Sequence, residues 1–83
     1  ELLRDFAKRV QGLTPTEKTV LRLFIEGCDI NEVAEQLYIS IGTARKHNTN
    51  LNRKLGVSNR EELMVYIDLF RRCDRLEELT RTD

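Results

Sequence analysis

Asp29-Ile30-Asn31-Glu32-Val33-Ala34-Glu35-Gln36-Leu37-Tyr38-Ile39-Ser40-Ile41-Gly42-Thr43-Ala44-Arg45-Lys46-His47 is the stretch that decides the fold. Asp29 followed three positions later by Glu32 is a capping box, in which cap oxygen and Glu each satisfy an orphan backbone N–H at a helix start. Ile30, Val33, Ala34 and Leu37 then recur at three- and four-residue spacing and form one apolar face. Tyr38-Ile39-Ser40 breaks the pattern. Ser40 caps a second helix predicted to run to Leu55, with Gly56 as its stop and Val57 placed to close back onto the core. Helix, turn of about three residues and helix make the helix-turn-helix unit.

Upstream, Thr14-Pro15-Thr16-Glu17 is another capping box, with proline at N1, where its missing N–H costs nothing. Val20, Leu21, Phe24, Ile25 and Cys28 follow at helical spacing, and Gly27 is a natural stop. Leu2, Leu3, Phe6 and Val10 predict a short amphipathic helix ending near Gly12. Residues 1–12 are expected to be a linker helix from an upstream domain, since a chain opening on Glu1 reads as an excised fragment. Downstream, Ser58-Asn59-Arg60-Glu61 reads as a third capping box, with Ser58 as cap of a last helix reaching at least Phe70 and extending toward Leu79. No period-2 strand pattern competes. The expected fold is all-α: a four-helix helix-turn-helix domain over residues 13–83, plus the short N-terminal linker helix and an extended C-terminal helix.

Eighty-three residues suffice for one modest core and not for two. No apolar run approaches the roughly 18 residues of a membrane span, so no membrane contact is expected, and no signal-peptide pattern opens the chain. Cys28 and Cys73, both at apolar positions of helical patterns, are expected to be buried reduced thiols of a cytoplasmic protein. With one His and no Cys-x-x-Cys, a structural zinc site lacks its ligands, and no cofactor is implied.

Fourteen basic residues balance fourteen acidic ones, but the charge is polarised. Residues 41–60 carry Arg45, Lys46, Arg53, Lys54 and Arg60 with no acid, whereas residues 61–83 carry seven acids against four arginines. At about 100° per residue, Ala44, Leu51 and Leu55 share the inward side of the helix over 41–55. Lys46, Thr49, Asn50 and Arg53 then lie outward, with Arg45 and Asn52 on one flank and His47 and Lys54 on the other. An acid-free face of cations, amides and hydroxyls suits a DNA groove, since Arg and Lys pair with guanine, Asn with adenine, and all contact phosphate. Ser40 and Thr43, at the helix start, add hydroxyl and backbone N–H groups for a phosphate. An ordinary solvated face is the competing interpretation, although such a face usually interleaves Glu. Asn48 falls near the inward side, either half-exposed or hydrogen-bonded to a neighbouring backbone.

Leu13-Thr14-Pro15-x-Glu17, Val20-Leu21, Glu26-Gly27, Glu32-Val33-Ala34-x-x-Leu37, Ile39-Ser40, Thr43-Ala44-Arg45-Lys46-His47 and Arg53-Lys54-Leu55-Gly56-Val57-Ser58-x-Arg60 together resemble the LuxR-type (GerE/FixJ-like) helix-turn-helix domain. The likeness runs in order and without gaps from about residue 13 to residue 67. It implies a four-helix DNA-binding domain of bacterial transcription regulators that dimerises through its last helix and places the helix over 41–55 in the major groove. Carried over by position, Arg45, Lys46 and Thr49 face the groove, while Thr43, His47, Asn50 and Arg53 are backbone or edge contacts; Ser40 at the helix start and Lys54 on the flank are expected to meet the DNA backbone as well. Three positions depart from the family pattern: Ala44, where Val or Ile is usual, Asn48, where an apolar residue is usual, and Gly42, which costs helix propensity.

Tyr66, Leu69, Cys73 and Leu76 follow 3-4-3 spacing along the last helix, a seam suited to pairing with its copy across a two-fold axis. The acidic tail, Glu77, Glu78 and Asp83, is expected to lie away from DNA. Sequence-specific binding of double-stranded DNA by a homodimeric regulator is therefore the first functional reading. The alternative is a protein-interaction module that contacts RNA polymerase or another regulator. A sigma-factor-like promoter reader is a related option, and an enzyme has no acid pair, nucleophile–base pair, phosphate loop or metal set to support it.

Overall fold

The computed structural model describes residues 2–80 and the side chains of residues 3–79, so the side chain of Leu2 and the tail residue Asp83 lie outside it. Six helices follow in order: α1 (Leu2–Gln11), α2 (Pro15–Ile25), α3 (Ile30–Leu37), α4 (Ile41–Leu55), α5 (Arg60–Arg72) and α6 (Glu77–Thr80). No strand occurs among the described residues.

The predicted starts of α2, α3 and α4 are where the caps require them. Thr14 accepts from the Glu17 amide while Glu17 reaches back to the Thr14 amide, and Asp29 and Glu32 do the same. Ser40 accepts from the Thr43 amide. The start of α5 differs from the sequence reading. Asn59, not Ser58, is the cap and accepts from the Glu62 amide at 2.8 Å, while Ser58 donates its amide to the Glu62 carboxylate.

The ends of α2 to α5 share one device, a left-handed residue closing a Schellman turn. Gly27 (φ 99°) ends α2, Tyr38 (φ 56°) ends α3 and Gly56 (φ 75°) ends α4. At Gly56 a Cβ would also come within 3.0 Å of Arg9 Nη1, the flexible end of that side chain. Asp74 (φ 56°) ends α5, with the Arg75 amide donating to the Phe70 carbonyl at 2.8 Å. The last helix therefore does not run to Leu79. The chain turns at Asp74 and returns as α6, whose Leu79 is 3% exposed.

Helix α4 packs against α1, α2 and α3, and α6 packs against α1 and α2. Phe6, Val10, Leu21, Phe24, Val33, Leu51, Leu55, Leu63, Ile67 and Phe70 are among the side chains that fill the core. Helix α1 thus contributes Phe6 and Val10 to the core. Phe6 stacks on Tyr66 with ring centroids 4.4 Å apart and planes 6° from parallel, and it tilts against Phe70.

Asn48 and Asn52 sit one turn apart on a flank of α4 and are half-buried. The side-chain oxygen of each is buried without a hydrogen-bond partner among the described residues. Replacing an unpaired buried amide with an apolar side chain removes a desolvation penalty of about 1 kcal/mol or more. Asn48→Val is accordingly expected to raise the melting temperature by about 4–8 °C per kcal/mol gained. A melting curve that is unchanged or lower would show that the amide is satisfied in solution.

Candidate nucleic-acid interface

The candidate face is built on α4, whose register is set by Ala44, Leu51 and Leu55 pointing into the core. With those three inward, Arg45, Lys46, Thr49 and Arg53 are exposed, and His47, Asn50 and Asn52 are half-buried along the edges. The first turn holds no acid, unlike the first turns of α2, α3 and α5. Ser40 donates its hydroxyl to Thr43 Oγ1 at 3.0 Å, which leaves the Thr43 hydroxyl hydrogen directed elsewhere as a donor.

The five cations of residues 41–60 divide into two groups. Lys54 Nζ lies 2.8 Å from Glu17 Oε1, the oxygen that also accepts from the Thr14 amide. Arg60 turns inward, donates to the Cys28 carbonyl at 2.8 Å and places its guanidinium over the Phe24 ring. Arg45, Lys46 and Arg53 stay on the outer side. Among the described residues no carboxylate pairs with any of them, and Arg53 makes only a long contact, 3.4 Å, to Asn50 Oδ1. Lys54, expected at the DNA backbone, thus also has a structural role: it ties the end of α4 to the start of α2. No local pattern announced that pairing, nor the bond from Arg9 Nη1 to the Leu55 carbonyl at 3.2 Å, which caps α4 from α1.

Burial pushes the Glu17 carboxyl up, but hydrogen bonds from Lys54 and Thr14, with the charge of Lys54, outweigh burial and hold it below its ordinary value. A carboxylate depressed in the folded state stabilises the fold above its unfolded pKa and loses that contribution as pH falls through the folded one. Lys54→Gln is expected to cost about 1–2 kcal/mol at neutral pH, at the low end because the lysine is partly solvated. It should also flatten the loss of stability on acidification below about pH 4.5. Melting temperatures from pH 7 to pH 3 test this; an intact melting curve with a weaker salt dependence of DNA binding would leave Lys54 to the DNA backbone alone.

The seam read along the last helix is rearranged. Tyr66 is half-buried on Phe6, and Leu76 lies beyond the turn at Asp74 and packs on the core. Leu69 is exposed, and Val65, 58% exposed, joins it one turn earlier. Cys73 is exposed at the end of α5 and Cys28 is half-buried, so neither is the fully buried thiol the spacing predicted. The left-handed turn at Asp74 leaves Cys73 at the solvent side of the helix end. Among the described residues no three His, Cys, Asp or Glu side chains are disposed to hold a metal, and no helix is long and apolar enough to cross a membrane.

A turn of three residues between α3 and α4, with an exposed, acid-free second helix, is a geometry shared by many regulators. The sequence profile of bacterial regulatory proteins of the luxR family matches residues 11–67, most of the chain and all of the helix-turn-helix. The chain belongs to the LuxR family. The LuxR-family domain is 38% identical over 72 residues to the transcriptional activator protein BglJ of Escherichia coli, covering 83% of this chain and 32% of that protein. It is 39% identical over 65 residues to the transcriptional regulatory protein DesR of Bacillus subtilis (78% and 33%). To LiaR of the same organism it is 41% identical over 56 residues (68% and 26%). The chain spans a third or less of the length of these curated relatives. No solved structure matches. As a LuxR-family helix-turn-helix, the domain is a DNA-binding unit of transcription regulation.

Proposed function

We propose that the domain binds double-stranded DNA sequence-specifically as a homodimer in the cytoplasm, with α4 in the major groove. Arg45, Lys46 and Thr49 meet base edges, while Thr43, His47, Asn50 and Arg53, with Ser40 at the helix start, meet the sugar-phosphate backbone. The observation that carries this reading is the division of the cations: two are committed to internal partners, and three remain outward on a face without a carboxylate. A neutral chain thereby presents a local positive surface where phosphate neutralisation is needed. Val65 and Leu69, exposed one turn apart on α5, support pairing with a second copy. They take the place of Tyr66 and Leu76, which this domain uses internally.

A second reading, docking on RNA polymerase or another regulator, is favoured by Tyr38. Its ring is 95% exposed in the turn between α3 and α4. Selection from a randomised duplex library at low salt separates the two. An enriched inverted repeat supports the dimeric DNA reader and gives the half-site spacing. Enrichment of a single half-site retains DNA binding and removes the dimer, and no retention of duplex at all favours the protein partner.

A further inference from the structure

We propose that Gly42 is a docking determinant of the recognition helix: the missing side chain lets the first turn of α4 approach DNA more closely than any larger residue would allow. This rests on the DNA-binding reading above and adds to it a position that makes no side-chain contact of its own.

Gly42, Lys46, Thr49 and Arg53 are spaced i, i+4, i+7 and i+11, so they form a single stripe along α4. All four are exposed, and the stripe runs for about 16 Å. Gly42 is its N-terminal member, at the end of a recognition helix that enters the groove in helix-turn-helix proteins. Glycine is among the least favourable residues for a helix interior, and among the described residues no neighbour calls for it here. Its backbone is helical, unlike Gly27 and Gly56, whose φ values are positive. Among the described residues a Cβ at position 42 would meet only Ser40 Oγ, at an ordinary van der Waals distance of 3.9 Å, whereas one at Gly56 would come within 3.0 Å of Arg9 Nη1. The folded chain alone would therefore be better served by alanine. What glycine provides at such a place is close approach of a backbone to a partner, and the exposed side of this stripe is where the DNA lies in the proposed complex.

The consequence is a pair of effects with opposite signs. In the 83-residue chain, Gly42→Ala is expected to raise the melting temperature by about 2–5 °C, because alanine favours the helix. Affinity for the duplex enriched by selection is expected to fall about tenfold with Gly42→Ala and further with Gly42→Leu, as overpacking of a close interface requires. Affinity for random duplex, where the helix sits less deeply, falls less. Binding within twofold of the unsubstituted chain by either variant overturns the proposal, and so does a loss of affinity that tracks a lowered melting temperature. An unsubstituted chain that enriches no duplex overturns the DNA reading itself, a failure visible before any variant is made.

Discussion

Phe6→Ala is expected to destabilise the domain by about 3–5 kcal/mol, the range for truncating a fully buried aromatic side chain. A chain of this size has a total stability of roughly 4–12 kcal/mol, so the variant approaches the limit of folding. Phe6 is 0% exposed, and its ring is held face to face with Tyr66 and against Phe70. Removing it opens a cavity where α1 meets α5 and forfeits the ring stacking. It also loosens the helix that brings Arg9 to the Leu55 carbonyl, so the C-terminal end of α4 loses a cap. Urea denaturation of the variant beside the unsubstituted chain measures the effect. A loss below about 0.5 kcal/mol, typical of exposed positions, would show that α1 contributes little to the core.

Lys46→Ala and Arg45→Ala are each expected to weaken binding to the selected duplex by about 1–3 kcal/mol while changing affinity for random duplex much less. Arg53→Ala should instead lower affinity evenly on all duplexes and reduce the slope of log K against log salt by about one. The contrast follows from position: Arg45 and Lys46 lie near the start of α4, whereas Arg53 is in its last turn beside Asn50. Titrations of both duplexes at several salt concentrations decide between the roles. Equal losses on selected and random DNA for all three variants would remove the base-reading assignment while leaving the phosphate-binding one.

Much of the fold was legible locally because helix caps are local chemistry. Thr14, Asp29 and Ser40 satisfy backbone groups three residues away, so a short window of sequence contains the whole interaction. The start of α5 shows where that logic stops. Ser58-Asn59-Arg60-Glu61-Glu62 contains two cap–Glu pairs of equal spacing, and the local rule does not rank them. The fold adopts Asn59 and Glu62 as Arg60 reaches the Cys28 carbonyl, 32 residues away, and the Phe24 ring. Helix ends follow the same division. Gly27 and Gly56 announce left-handed turns, while Asp74 adopts one without glycine's signal and sends Leu76 and Leu79 back to the core.

By itself, the amino-acid order determined that the chain is helical, where α2, α3 and α4 begin, and that the outward side of α4 has no acid. Each of these is settled by spacing along one helix. Only the tertiary structure decided which cations are held by internal partners and which apolar residues of α5 stay exposed. Lys54 meets Glu17 across 37 residues of sequence, and Tyr66 meets Phe6 through helices that are distant in the chain. Helical periodicity gives a side chain its direction around one axis. Whether that direction ends in water or against another helix depends on how the helices pack.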